Sequence, residues 1–327
     1  MIENKIPTLT VMCGLQCSGK TTWAKEYLKT HQDTKYISSD ELRLTGKYKD
    51  NEEVFREFYR LLNENLAQGY NVIADATFVT QKSRRRLMQE IKTPCLKEIV
   101  IMATPYGICR ERLKERNERN YPNKILEKVL RQYCLTFEVP YYEEGWFDIK
   151  IINWKSENNY YGFDLDAIQG YMDKFDQKNP YHTHTLGEHR KLVQKNLIQY
   201  CKEHKEELDE HLINTLKIYG EIHDIGKMNT QTFDDKGVAH YYGHANVGAY
   251  DLLCDLELFK KEIFVRPEYK NLEGTYCQMF NDIVFLENYH MLPFSWTTEK
   301  VQKRWKDRLG FKYKWLEIVN ECDKEAC

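Results

Sequence analysis

Thr8-Leu9-Thr10-Val11-Met12-Cys13-Gly14-Leu15-Gln16-Cys17-Ser18-Gly19-Lys20-Thr21-Thr22 decides how the first half of this chain is read. Thr8–Cys13 is a short apolar run of strand type, and a helical pattern continues from Thr22 to Thr30. Residues 14–21 between them fit the spacing GxxxxGK[ST]. Gly14 and Gly19 let the backbone curl so that successive N–H groups, those of Cys17 and Ser18 among them, face one cradle. The start of the helix at Thr22 adds its partial positive charge. Lys20 then reaches the β- and γ-phosphates of a nucleoside triphosphate, and Thr21 offers its hydroxyl to Mg²⁺. From average composition, a chance match in a chain this long has a probability on the order of 1%.

Outward from that loop, apolar runs and helical patterns alternate. Thr8–Cys13, Lys35–Ser38, Tyr70–Ala74, Lys97–Met102 and Asp148–Ile152 read as strands. Thr22–Thr30, Glu52–Gln68, Thr80–Lys92, Tyr106–Asn117 and Lys124–Glu138 read as helices. Val- and Ile-rich strands that each lead into a helix predict a parallel sheet covered on both faces. The second half differs. Leu186–His204, Leu208–Tyr219, Val247–Leu258, Tyr276–Asn288 and Lys300–Lys324 are long amphipathic stretches, and strand signals are few. Nine of the ten histidines lie from His182 onward, and a polar, Asn- and Tyr-rich segment separates the halves. The expected organisation is an α/β P-loop domain with a parallel sheet over residues 1–154, a connector over 155–177 and an all-α domain over 178–327.

Composition narrows the function classes. At 327 residues the chain is long enough for two cores, and 42% hydrophobic residues exclude a disordered chain. A net charge of −2 excludes a general polyanion coat, so a nucleic-acid partner would be gripped locally. No apolar run approaches the ~18 residues of a membrane span, and Ile6–Leu15 lacks the pattern of a signal peptide. Ten cysteines without a CxxC pair fit a reduced chain, and a cytoplasmic location is expected.

Several polar residues fall at the expected carboxyl ends of strands. Asp40 and Arg43, in Ser38-Ser39-Asp40-Glu41-Leu42-Arg43, follow the second strand. Asp40 is either the cap of the next helix or a base that takes a proton from an attacking hydroxyl. Arg43, one turn on, suits an acceptor phosphate. Asp75 and Thr77, in Asp75-Ala76-Thr77, follow the third strand, as an ordinary turn or as a magnesium or substrate contact. Arg110, Arg112, Lys114, Arg116 and Arg119 crowd one helix, with glutamates between them as helix partners. Arg116 and Arg119 sit where that helix ends, near Pro122, placed to close over a triphosphate and offset developing charge.

Together the glycine loop, Ser-x-Asp-x-x-Arg, Asp-Ala-Thr, the Arg-Asn-x-Arg lid and Pro140–Asp148 (VPYYEEGWFD runs through it) resemble the kinase domain of polynucleotide 5′-hydroxyl kinases, over about residues 8–152. The resemblance implies Asp40 as general base, Arg43 on the phosphate next to the 5′ nucleoside, and Asp75 and Thr77 on the substrate side. It places Gly14, Cys17, Ser18, Gly19, Lys20, Thr21 and Thr22 on ATP, or another NTP, with Mg²⁺, and Arg116 and Arg119 on its phosphates. Gln16-Cys17 departs from the proline or small residues that the family often carries.

In the histidine half, His223-Asp224 precedes Ile225-Gly226-Lys227, His189 lies earlier and Asp323 near the end. Mixed imidazole and carboxylate ligands suit Mn²⁺, Fe²⁺, Co²⁺ or Ni²⁺ with positions open to water, and phosphate-ester hydrolysis is chemistry natural to such an ion. The order H…HD…D on helices resembles the HD phosphohydrolase superfamily from roughly Lys178 to Lys324. That match implies His189, His223, Asp224 and Asp323 as metal ligands, with Asp282 the rival for the last, and Asp224 in the reaction. His182, His184, His244 and His290 fall where relatives place substrate or second-metal histidines, and Lys227 is a candidate phosphate contact. His204 and His211 lie in a charged helical stretch and read as solvated.

A 5′-hydroxyl kinase joined to an HD-type phosphohydrolase resembles bifunctional nucleic-acid end-healing enzymes. The expectation is phosphorylation of 5′-OH RNA or DNA ends and metal-dependent removal of a 3′-phosphate or 2′,3′-cyclic phosphate. A separate nucleic-acid ligase would be the partner, and no membrane is involved. The alternative is a nucleoside or sugar kinase joined to a nucleotidase.

Overall fold

The computed structural model describes residues 6–119, 124–153, 164–180, 183–263, 266–267 and 276–326. The chain divides into two compact units, Met1–Trp154 and Lys155–Cys327.

In the first unit, β1 (Thr8–Cys13) leads into α1 (Lys20–Thr30), β2 (Thr34–Ser38), α2 (Ser39–Leu44) and α3 (Asn51–Ala67). Then come β3 (Asn71–Asp75), α4 (Gln81–Glu90), β4 (Leu96–Ala103), α5 (Tyr106–Glu118), α6 (Glu127–Leu135) and β5 (Asp148–Asn153). The strands pair in the order β2-β3-β1-β4-β5, and every pairing is parallel. Leu9 faces Val72 on one side of β1, and Val11 faces Ile99 on the other. Leu9, Val11, Ile73 and Val100 are fully buried, as expected of strands covered by helices on both faces. The connection from β3 passes across β1 to reach β4, and α/β sheets bind ligands at the carboxyl edge of such a switch point. Cys13, Ser38, Asp75 and Ala103 end their strands on that edge.

The Pro140–Asp148 tail is tied to α4. Arg84, fully buried, donates from Nε and Nη2 to Glu144 at 2.7 and 2.6 Å, and from Nη1 to the Glu138 carbonyl at 2.8 Å. The Trp146 indole N–H donates to Glu144 at 3.0 Å.

The second unit contains α7 (Leu165–Met172), α8 (Leu186–Glu203), α9 (Glu210–Gly220), α10 (Lys227–Thr230), β6 (Thr232–Phe233), β7 (Ala239–His240) and α11 (His244–Cys254). It continues with α12 (Leu256–Ile263), α13 (Tyr276–Tyr289), a 3-10 turn at Leu292–Ser295, α14 (Glu299–Leu309) and α15 (Lys312–Lys324). α13 is buried all round from Met279 to Tyr289 and packs on α9, α11 and α15. α8 begins in a capping box: Thr185 Oγ1 accepts the Glu188 N–H at 3.2 Å, and Glu188 Oε2 accepts the Thr185 N–H at 2.9 Å.

Several sequence expectations are corrected here. The connector carries α7, which packs on α8, with Asp173 paired to Lys191 at 2.8 Å. The helical unit includes one hairpin, β6–β7, because Asp234 Oδ1 accepts the N–H groups of Lys236 and Val238 and Gly237 turns at φ 77°. The run expected over Lys300–Lys324 breaks at Gly310, whose φ of 55° disfavours a side chain.

Candidate active sites

The loop after β1 is built from left-handed backbone. Gly14, Cys17 and Gly19 have φ of 150°, 62° and 100°. A Cβ at Gly14 would lie 2.9 Å from the Met102 carbonyl oxygen, so only glycine fits without a shift. Cys17 holds a conformation costly for a side-chain-bearing residue, as tight binding loops do. Lys20 folds over the loop, donating from Nζ to the carbonyls of Gly14 at 3.0 Å and Leu15 at 2.7 Å. Ser18 is buried under the loop, and its carbonyl accepts from Thr104 Oγ1 at 2.8 Å. Thr21 and Thr22 begin α1 on its exposed side.

Asp75 joins this loop. Its Oδ2 accepts the Thr21 hydroxyl at 2.8 Å and the Tyr36 hydroxyl at 2.6 Å. Burial and then the Asp75 charge push the Tyr36 phenol well up, which keeps it a donor. Asp75 thus sits beside the Thr21 hydroxyl at the start of α1.

Ser38 caps α2, its Oγ accepting the Glu41 N–H at 3.3 Å, which leaves Asp40 free of the capping role. Arg43 Nη1 donates to Asp40 Oδ1 at 2.7 Å and to Ser39 Oγ at 3.1 Å, and its Nε to Asn51 Oδ1 at 3.0 Å. Arg43 opens onto a groove of about 460 Å³ whose lining includes Phe55, Tyr59, Thr77, Lys82 and Arg86. Thr77 therefore belongs with Arg43, and its carbonyl also accepts the Gly14 N–H at 3.3 Å.

In the second unit, six polar side chains brought from five segments converge. His189 on α8 and Asp323 on α15 stand 3.1 Å apart, Nε2 to Oδ1. His223 Nε2 lies 3.3 Å from the same Asp323 oxygen and 3.5 Å from Asp224 Oδ2. His189 Nε2 is 3.6 Å from Asp224 Oδ2. On the other side of Asp224, Oδ1 is 3.2 Å from Nε2 of His244 on α11 and 3.2 Å from Nε2 of His290 just beyond α13. All six are buried, and Asp224 has a strained φ of 65°.

The protons show what this cluster can hold. His244 Nδ1 lies 2.8 Å from the Tyr241 carbonyl and His290 Nδ1 lies 2.7 Å from the Glu287 carbonyl. A carbonyl only accepts, so both Nδ1 atoms carry hydrogen, and a ring in its neutral form then presents a lone pair at Nε2. Burial foremost, with the neighbouring His223 and His244, lowers the His290 pKa and keeps that ring neutral. The two Nε2 atoms nevertheless face each other at 3.2 Å, beside an Asp224 oxygen that is buried without a well-formed hydrogen bond. With both rings neutral, these three electron-pair donors would form a seat for a cation. His189, His223 and Asp323 form a second grouping with donor atoms within 4.8 Å of one another. Imidazole and carboxylate together fit a borderline divalent ion such as Mn²⁺, Fe²⁺, Co²⁺ or Ni²⁺. Burial opposes charge on His189, but its bonds to Asp224 and Asp323 prevail and raise its pKa to about 9, so a metal there must displace a proton.

Three comparisons bear on these sites. The family model described as "AAA domain" matches residues 9–140. The first unit is a P-loop α/β domain. Among solved structures, a chain in "Structure of the Pnkp1/Rnl/Hen1 RNA repair complex" is similar at 19% identity and TM-score 0.37, over 39% of this chain and 43% of that one. This chain thus spans about two-fifths of that relative's length. "Crystal Structure of a gluconokinase from Sinorhizobium meliloti 1021" is similar at 15% identity and TM-score 0.31, over 45% of this chain and 82% of that one. No curated protein sequence matches the chain.

In the first unit Arg112 touches the glycine loop, its Nη1 donating to the Cys17 carbonyl at 3.2 Å. The sequence places it one turn before Arg116 on the same helix face, a signal that points to either residue. Arg116 is half-buried, and the Arg119 side chain is 80% exposed, 3.7 Å from Glu115.

In the second unit His184 is turned away from the cluster, exposed and 3.8 Å from Glu188, because it precedes the capped end of α8. His182 lies outside the described residues. Asp282 belongs elsewhere: it ion-pairs with buried Lys312 and meets His211 Nε2 at 2.8 Å, so His211 is a partner and not a solvated residue. Lys227 is buried, with Nζ 2.7 Å from Asp224 Oδ2 and donating to Gln177 at 3.0 Å. Sequence reading missed Tyr219, Glu287 and Gln177 around the cluster. Only Tyr219 left a signal, one helical turn before His223.

Proposed function

We propose that the chain heals broken nucleic-acid ends: the P-loop unit phosphorylates a 5′-hydroxyl from ATP, and the helical unit removes a 3′-phosphate or 2′,3′-cyclic phosphate. The observation that carries the acceptor is the Asp40–Arg43 contact at 2.7 Å, on a groove that combines cations with aromatic rings. Arg43 suits the phosphate that follows the first nucleoside, and Phe55 and Tyr59 suit the base. Asp40 takes the proton of the attacking 5′-oxygen, while Lys20 and Arg112 face the charge on the transferred phosphoryl group. Thr21 and Asp75 would hold Mg²⁺ on the donor side.

His189, His223, Asp224 and Asp323 would hold one divalent ion, and His244 and His290 with Asp224 a second. Such ions supply an activated water and polarise the phosphoryl oxygen. Lys227 adds positive charge where a substrate phosphate would lie, and Gln177 orients it. An RNA or DNA ligase that joins 5′-phosphate to 3′-hydroxyl ends would be the downstream partner.

The kinase test is γ-labelled ATP with a 5′-OH oligonucleotide: label should transfer, Asp40→Ala should abolish transfer, and unchanged transfer would refute the assignment. Free nucleosides or gluconate outcompeting the oligonucleotide would favour a small-molecule acceptor instead. For the other site, Mn²⁺, Ni²⁺ or Co²⁺ should support phosphate release from a 3′-phosphate oligonucleotide. Release surviving the pair His223→Ala and Asp224→Ala would sink the proposed centre.

A further inference from the structure

The segment that leaves the metal-type cluster at His290 and returns to it at Asp323 is chemically unlike the unit that carries it. The second unit has 23 basic and 29 acidic residues, yet α14, Glu299-Lys-Val-Gln-Lys-Arg-Trp-Lys-Asp-Arg-Leu309, has five basic and two acidic. Charges on a surface helix usually pair one turn apart. Here Lys300, Lys303, Arg304 and Lys306 have no carboxylate in ion-pair reach among the described residues. Rings lie beside two of them: Arg304 lies 6.0 Å from the centroid of Trp305, and Lys306 lies 5.1 Å from that of Tyr313. α14 fully buries only Leu309; Val301, Gln302, Trp305 and Arg308 are half-buried, and Lys300, Lys303, Arg304 and Lys306 are exposed.

Exposed rings flank this helix on both sides. Phe294, 48% exposed, precedes it and Phe311, 61% exposed, follows it. Phe294 lies four residues beyond His290. Lys324, next to Asp323, stands 5.2 Å over the Phe294 ring. Trp296 stacks on Tyr313 at 4.0 Å and joins the 3-10 turn to α15. A strip of cations and rings thus runs from α14 to the positions adjoining two members of the cluster.

We propose that α14, with Phe294 and Phe311, is a docking track for single-stranded nucleic acid, holding the nucleotides upstream of a 3′ end delivered to the His–Asp cluster. The charge complements a phosphodiester backbone, and ring faces interleaved with cations suit unstacked bases. An acidic protein segment would use the cations and leave the rings idle. The 3′-end polarity rests on the hydrolytic reading above; binding to the track does not.

The test uses the full-length protein and a 5′-fluorescein single strand of about twelve nucleotides ending in a 3′-phosphate, as RNA and as DNA. Anisotropy is titrated over a range of salt. Each phosphate contact on a single strand contributes about −0.7 to the slope of log affinity against log salt. The variant Lys303→Ala/Arg304→Ala/Lys306→Ala should flatten that slope by about 2 and weaken low-salt binding at least about tenfold. Trp305→Ala should weaken binding about tenfold with the slope unchanged. Phosphate release from a 3′-phosphate mononucleotide, too short to reach α14, should be unaffected by the triple variant while KM for the longer strand rises. Unchanged affinity and slope in the triple variant would overturn the track, as would equal binding of polyglutamate or of a blunt duplex. Wild type that hydrolyses neither substrate defeats the hydrolytic reading, while the anisotropy still decides the track.

Discussion

Tyr219 Oη lies 2.7 Å from Nδ1 of His223, one helical turn away and fully enclosed. Burial first, then the Glu287, Asp224 and Asp323 charges, raise the Tyr219 phenol far above its usual range, so it stays neutral. Its oxygen can accept from Nδ1–H, which aims Nε2 at Asp224 and Asp323. Partners of this kind fix the tautomer and aim of a metal-binding imidazole.

Tyr219→Phe keeps the ring and removes that partner. The expected result is a fall of about 10- to 100-fold in affinity for Ni²⁺ or Mn²⁺, read by isothermal titration, with the circular dichroism spectrum retained. Unaltered affinity would remove Tyr219 from the account.

His244 and His290 share one oxygen of Asp224, while His189 and His223 share the other side with Asp323. Wild type saturated with Mn²⁺ is expected to hold two ions per chain by elemental analysis, and His290→Ala only one. Saturating metal should also raise the melting temperature of wild type, since ligand binding to the native state stabilises it.

Arg112 touches the phosphate loop and Arg119 does not reach it in this conformation. Arg112→Ala should weaken ATP binding or phosphoryl transfer by about tenfold or more, the scale of one hydrogen bond to a charged group. Arg119→Ala should change either by less than about twofold. The converse ranking would return the role to the end of α5.

Arg84 and Glu144 form a buried pair with exposures of 0% and 7%. Glu144→Ala leaves a guanidinium enclosed without its carboxylate, and breaking such a pair costs about 3–5 kcal/mol. Denaturant unfolding should report that loss. The conserved-volume Glu144→Gln should recover part of it, because the amide oxygen still accepts one bond.

Burial and the Asp251 charge push Asp255 up to about 7, and burial pushes Asp251 up to about 6. Carboxyls that hold protons more tightly in the native chain favour folding fully below about pH 4, and that advantage disappears as pH rises through 6 and 7. Asp255→Asn, which removes the charge, should therefore raise the melting temperature at pH 8 and change it little at pH 4.

Much of the first unit was legible from local pattern. Each strand was expected within a residue or two, and the phosphate loop was complete, because its donors are neighbours in the chain. The short α2 was missed: six residues carry too little periodicity, and its cap at Ser38 is visible only in three dimensions. α7 was hidden for a similar reason, inside a polar segment whose apolar face packs against α8.

By itself the sequence determined the alternation that makes a parallel sheet, the loop that cradles phosphate, and the residue types from which a cation seat can be built. Those depend on side chains and backbone only a few positions apart. Tertiary packing alone decided that Asp323 and not Asp282 meets His189 and His223, since both aspartates sit on buried helical faces and Lys312 claims one of them. It also decided that His244 and His290 face each other while His184 turns outward. The direction in which a helix presents a given side chain follows from which neighbours exclude water around it, and those neighbours lie up to a hundred or more residues away.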